Sequence, residues 1–148
     1  MNQTALFLHL AAAIFWIGGM AFMVMALRPS MAEHLAPPQR LPLLAAVMKR
    51  FFAVVAASIA VLLATGFYLL LAVGMAKAPP GWHAMLGLGL VMMLVFGHIF
   101  FSPYRKLQRA VASADWAEGG RRATQIATLV KINLGLGWLA IAAVMLWR

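Results

Sequence analysis

The sequence predicts an all-α integral membrane protein, a four-helix bundle with both termini on the outer, periplasmic side. Composition is the first reason. Of 148 residues, 65% are apolar and only 10% are charged, against about 25% charged in a typical soluble domain. Mean hydropathy is +0.92. A small soluble domain keeps much of its surface in water and could not hide so much apolar area; lipid as the solvent removes that conflict. The second reason is the gathering of apolar residues into four long runs. The third is the placement of the basic residues, which lie almost entirely between those runs.

The runs span Ala5 to Leu27, Phe51 to Ala76, Trp82 to Phe101 and Ile126 to Trp147. Each meets the requirement of about 20 mostly apolar residues. Helices are expected because each satisfies its own backbone hydrogen bonds in lipid. The first run has no basic leader and no obvious cleavage site before Arg28-Pro29, so it is not expected to be a signal peptide. With no internal repeat and no low-complexity linker, residues 1–148 are read as a single transmembrane domain.

The connections differ in character. Pro79-Pro80-Gly81 marks a tight outer turn that cannot continue a helix. The first inner connection carries Pro29, Pro37, Pro38 and Pro42 and is expected to be partly helical. After Pro103, Leu107, Ala110, Val111 and Ala114 recur at helical spacing with basic residues opposite, the pattern of a helix lying along the inner surface. Gly119-Gly120 is expected to end it.

Orientation follows from the cations. Nine (Arg28, Arg40, Lys49, Arg50, Arg105, Lys106, Arg109, Arg121 and Arg122) fall in the first and third connections, against Lys77 and Arg148 on the other side. Positive-inside bias then places both termini outward, in a bacterial inner membrane. The formal net charge of +9 does not indicate nucleic acid, because these cations sit where topology demands them rather than on one wet face. No cysteine is present, which excludes disulfides, thiolate metal sites and cysteine nucleophiles.

The histidines are the most informative polar residues. Helices one and three run in the same direction, so His9, one turn into the first, and His83, at the start of the third, lie at similar depth near the outer face. They could share a ligand there, since ionisable residues inside a membrane are functional by default; the alternative is a pair of interfacial histidines. His98 lies fifteen residues after His83, about 22 Å along the axis, so it cannot join the same ion. It is either a second, inner ligand or an interfacial residue.

Met75 and Met85 flank the outer turn near His83, and Met20, Met23, Met25, Met92 and Met93 could line a path inward. Soft thioethers suit Cu(I), while packing is the ordinary role of methionine. Lys131 is expected to snorkel, and Asn133 to hydrogen-bond another helix. Gly18-Gly19, Gly87/Gly89 and Gly135/Gly137 are expected to allow close helix contacts. Trp16, Trp82, Trp138 and Trp147 are either interfacial anchors or walls of a planar-cofactor pocket. With no carboxylate inside a run, no Ser–His–Asp set and no phosphate loop, hydrolysis has little support.

His9-Leu10-Ala11-Ala12-Ala13-Ile14-Phe15-Trp16-Ile17-Gly18-Gly19, the following Arg28-Pro29, Trp82-His83-Ala84-Met85, and the stretch from His98 to Pro103-Tyr104-Arg105-Lys106-Leu107 together resemble CopD-type copper-resistance membrane proteins. The resemblance covers nearly the whole chain. A second family is similar in layout, the small membrane protoporphyrinogen oxidases, which are thought to hold haem b through histidine. His9, Trp16 and His83 match that pattern. Met85 replaces a lysine of that family, and Leu134, after Asn133, replaces its glutamate.

The resemblance implies an inner-membrane protein that binds copper or haem b through outer-face histidines. The ligand set for copper would be His9, His83 and Met85; the haem pocket would draw on His9, His83, His98, Trp16 and Trp82. The implied role is copper homeostasis or membrane redox chemistry. A haem b enzyme of the oxidase type and a structural subunit without cofactor remain the alternatives. Expected partners are the lipid bilayer, a redox or copper-carrying protein, and a second copy of the chain in a homo-oligomer.

Overall fold

The computed structural model describes residues 2–147. It is helical throughout, with no strand among the described residues. The helices are α1 (Gln3–Phe22), α2 (Arg28–His34), α3 (Pro37–Val73), α4 (Pro80–Phe101), α5 (Pro103–Ala112) and α6 (Trp116–Leu146). One π-helical turn, Met23–Leu27, joins α1 to α2, so that four continuous helical stretches are each long and apolar enough to cross a membrane.

Proline placement explains why the helices run past the apolar runs. The π turn inserts one extra residue, with the Arg28 N–H reaching the Met23 carbonyl, and the helix passes through Pro29 instead of stopping. Only Leu35 and Ala36 are extended. Pro37 and Pro38 then occupy the first turn of α3, where a missing N–H costs nothing. The first basic connection is therefore almost wholly helical, and α3 begins at Pro37, well before Phe51. Its 37 residues reach about 55 Å, far beyond a hydrocarbon core of about 30 Å.

The same happens before the last span. Gly119-Gly120 does not end a helix; it lies inside α6, which starts at Trp116. The chain turns at Ala114, with φ of 54°, and the Asp115 side chain caps α6 by accepting from the Glu118 N–H at 3.1 Å. Glu118 in turn pairs with Arg121 and Arg122. A good cap and an ion-paired first turn outweigh two glycines. Nor is the apolar side of α5 left for a membrane surface. Pro103, Tyr104, Leu107 and Ala110 are buried, Leu107 completely, and the face packs on α6.

Both described termini and the turn between α3 and α4 share one end of the bundle, called here the terminal end. Asn2 caps α1 and donates to the Tyr68 hydroxyl at 3.4 Å, and the Gly81 N–H donates to the Trp147 carbonyl at 3.0 Å. Gly74, at φ of 92°, closes α3 in a conformation that favours glycine. The opposite, basic end holds α2, α5 and the extended starts of α3 and α6.

The aromatic core lies toward the basic end. The basic half is filled by large side chains around Phe52, whose ring meets Tyr104 at 4.9 Å, Phe96 at 5.5 Å and Phe100 at 6.3 Å between centroids. Met48, Ile99, Leu107 and Ile126 complete that core. The terminal half holds a cavity that is open along part of its side, lined mostly by larger apolar side chains with Ala13, Gly66, Gly89, Gly137 and Ala140 among them. Midway, Asn133 of α6 donates to the Met92 carbonyl of α4 at 3.2 Å, tying the two helices together. Phe7, Ile14, Phe22, Leu71, Leu94 and Leu146 project outward, as an apolar solvent allows.

Adjacent glycines in α1 separate packing from propensity. A Cβ on Gly19 would run into the Phe51 ring, whereas one on Gly18 meets nothing within 4 Å. Gly19→Ala is expected to destabilise by roughly 1–3 kcal/mol. Gly18→Ala is expected to be neutral or to gain about 0.5–1 kcal/mol. Thermal unfolding of the two variants in detergent checks the contrast.

Candidate functional site

The cavity of the terminal half measures about 230 Å³ and is walled by α1, α3, α4 and α6. Its lining is apolar with few exceptions, and the one histidine on it is His9 of α1. Trp16 and Trp82 form two of its aromatic walls, and the thioether residues Met85, Met92 and Met93 line the α4 side. Trp16 is only 3% exposed and belongs to the core, not to an interfacial belt. Trp138 and Trp147, by contrast, lie on the outer surface.

His9 is held from behind. Its Nδ1 lies 2.9 Å from the Thr65 hydroxyl on α3, and that hydroxyl donates its own hydrogen to the Val61 carbonyl at 2.6 Å. With its hydrogen committed, the Thr65 oxygen can only accept, so Nδ1 carries the ring hydrogen of the neutral imidazole. Nε2 is left with its lone pair free. Gly66 completes the seat, because a Cβ there would stand 3.2 Å from His9 Cε1 and push the ring away from α3. A hydrogen bond on one ring nitrogen that orients the other is how proteins prepare a histidine to bind a metal.

The other histidines are elsewhere. His83 is exposed at the start of α4, does not line the cavity, and donates from Nε2 to the Met75 carbonyl at 3.1 Å. The structure thus does not bring His9 and His83 to a shared site. Two residues along a helix turn a side chain by about 200°, and it is Met85, two positions after His83, that faces the cavity. His98 is exposed near the end of α4, and His34 donates from Nδ1 to the Ser30 carbonyl at 2.9 Å. No cluster of three or more His, Cys, Asp or Glu side chains that could hold a metal occurs among the described residues. Whatever the cavity binds must be recognised by one imidazole, thioethers and aromatic faces.

Thr65 and Gly66 were the residues that sequence reasoning passed over. Their signal is slight, a hydroxyl next to a glycine inside an otherwise apolar run. Pairing Thr65 with His9 requires the α1–α3 contact, 56 positions apart.

A family model described as copper resistance protein D, CopD, matches residues 45–147, well over half of the chain. The chain belongs to the CopD family. As a member of CopD it is a multi-pass membrane protein of a copper-resistance family. No curated protein and no solved structure matches it significantly. The CopD match runs from within α3 to the end of α6 and so includes Thr65, Gly66, Met85 and Met93, while His9 is supplied by α1, before it.

Replacing Thr65 by Val keeps the shape and removes the acceptor. Side-chain ¹⁵N NMR of His9 is expected to show the Nδ1–H tautomer dominant in the parent and in Thr65→Ser. In Thr65→Val it should give way to a mixture of tautomers.

Proposed function

We propose that this CopD protein handles copper by lodging Cu(I) in the terminal-half cavity, with His9 Nε2 and the Met85 thioether as ligands and Met93 beside them. Copper here is cargo. The observation that carries this reading is the His9 ring, held at Nδ1 by Thr65, on the α1 wall of a cavity whose α4 wall carries three methionines. The thioether is a soft donor of the kind that selects Cu(I), the neutral imidazole also suits copper, and the pair needs no carboxylate or thiolate. An apolar surround suits an ion of single charge better than Cu(II) or Zn(II), whose desolvation would be far costlier.

Size favours an ion over a macrocycle. Drug-sized ligands occupy pockets of about 300–1,000 Å³, and 230 Å³ is less than that range. The positive-inside bias supports the terminal end facing outward in a bacterial inner membrane, so that the cavity receives copper from the outer side, from a copper-carrying protein.

Competition against a Cu(I) chelator, in detergent and under reducing conditions, tests the site. His9→Ala and Met85→Leu are each expected to weaken Cu(I) binding by at least roughly tenfold. Thr65→Val should weaken it by about 10–100-fold through the loss of ring orientation alone. His83→Ala should leave it unchanged. Parental affinity in a His9→Ala/Met85→Leu double variant would overturn the assignment, and a Soret band with stoichiometric iron in the purified protein would replace copper by haem.

A further inference from the structure

A second cavity lies at the basic end and has the opposite chemistry. It measures about 350 Å³ and opens between α2, α3 and α6. Three cations from three helices line it: Arg28, Arg40 and Lys131. Behind them is an apolar wall that includes Leu41, Leu44 and Ala123. Lys131, placed about four turns into α6 because that helix starts at Trp116, stands on the exposed side. Its neighbour Ile132 is also exposed.

No carboxylate lines this cavity. The chain has only three acidic residues, and two are occupied elsewhere: Asp115 caps α6, and Glu118 pairs with Arg121 and Arg122. Glu33 is exposed and forms no ion pair among the described residues. Arg40 reaches only the Leu35 carbonyl, at 3.5 Å. Arg28 keeps a buried guanidinium nitrogen, Nη1, without any protein partner. An arginine does not shed its proton to escape such a place, and a buried donor without a partner is costly. Three like charges gathered around one cavity, with no carboxylate among its lining, describe a receptor for an anion.

We propose that the Arg28–Arg40–Lys131 cavity binds a phosphate group, supplied by the headgroup of an acidic phospholipid. Guanidinium forks match phosphate oxygens in geometry and charge, and basic pockets between transmembrane helices are suited to anionic headgroups. The apolar wall and the exposed flank of α6 at Lys131 and Ile132 let acyl chains remain in the bilayer while the phosphate enters. Free phosphate shares the recognition chemistry but has no use for that flank. The bound anion would join α2, α3 and α6 where few direct polar contacts do so. The inference is independent of copper.

The test compares two variants that each remove two positive charges from the same end of the bundle. Arg40→Gln/Lys131→Gln alters the cavity, and Lys49→Gln/Arg50→Gln alters exposed positions on α3. Both, with the parent, are placed in nanodiscs of dioleoylphosphatidylcholine containing dioleoylphosphatidylglycerol, and lipids retained on release are counted by native mass spectrometry. The parent and Lys49→Gln/Arg50→Gln are expected to retain phosphatidylglycerol preferentially. Arg40→Gln/Lys131→Gln should lose that preference by roughly fivefold for each cation removed, while its thermal stability in pure phosphatidylcholine is held or raised as repulsion is relieved. No lipid preference, but a melting temperature raised by inorganic phosphate over chloride in the parent and not in Arg40→Gln/Lys131→Gln, would assign the same site to free phosphate. Equal phosphatidylglycerol retention in all three proteins, or an equal loss in both variants, would overturn the proposal.

Discussion

Every helix of this protein has to satisfy its own backbone, because the solvent around the spans offers no hydrogen bonds. That constraint turns four apolar runs into four helices and allows Phe7, Ile14, Leu94 and Leu146 to face outward. It also withdraws the usual driving force for assembly, since leucine in lipid gains nothing by moving against leucine. What holds the helices together must be fit and a few hydrogen bonds. Both are visible. Gly19 and Gly137 let side chains from neighbouring helices seat against backbone, and Asn133 donates from α6 to α4.

The bundle distributes this fit unevenly. Around Phe52 the rings of Phe96, Phe100 and Tyr104 interlock and leave no room. Toward the terminal end, a cavity lined mostly by large apolar side chains opens beside His9. Thr65 orients the imidazole, because its hydroxyl, anchored to the Val61 carbonyl, has one orientation to offer. The single histidine on the cavity is held in one orientation on that account.

Helices longer than the membrane is thick give the basic end its character. The starts of α3 and α6, together with α2 and α5, carry the chain beyond about 30 Å of hydrocarbon and gather Arg28, Arg40 and Lys131 around one opening. Lys131 need not be explained by snorkelling alone once two arginines are seen beside it. The two cavities divide the molecule, one apolar and soft in its donors, the other cationic.

Fold class, the number of spans and the CopD family were all readable along the chain, since they depend on local composition and on the order of loose motifs such as His9 to Gly19 and Trp82 to Met85. Helix limits were read closely at the ends of the third and fourth runs, at Phe101 and within one residue of Leu146, whereas the second run, carried to Ala76, stops at Val73 before Gly74. Where prolines or paired glycines occur in helix-compatible positions, at Pro29, Pro37 and Gly119-Gly120, tertiary support carried the helix through them. The site was half visible: His9, Met85, Trp16 and Trp82 stand out as residues, but not which of the histidines turns inward. A shared depth, which sequence can supply, does not determine azimuth. That was decided by helix rotation, which sets His83 on the surface and Met85 in the cavity, and by the α1–α3 contact that joins His9 to Thr65 across 56 positions.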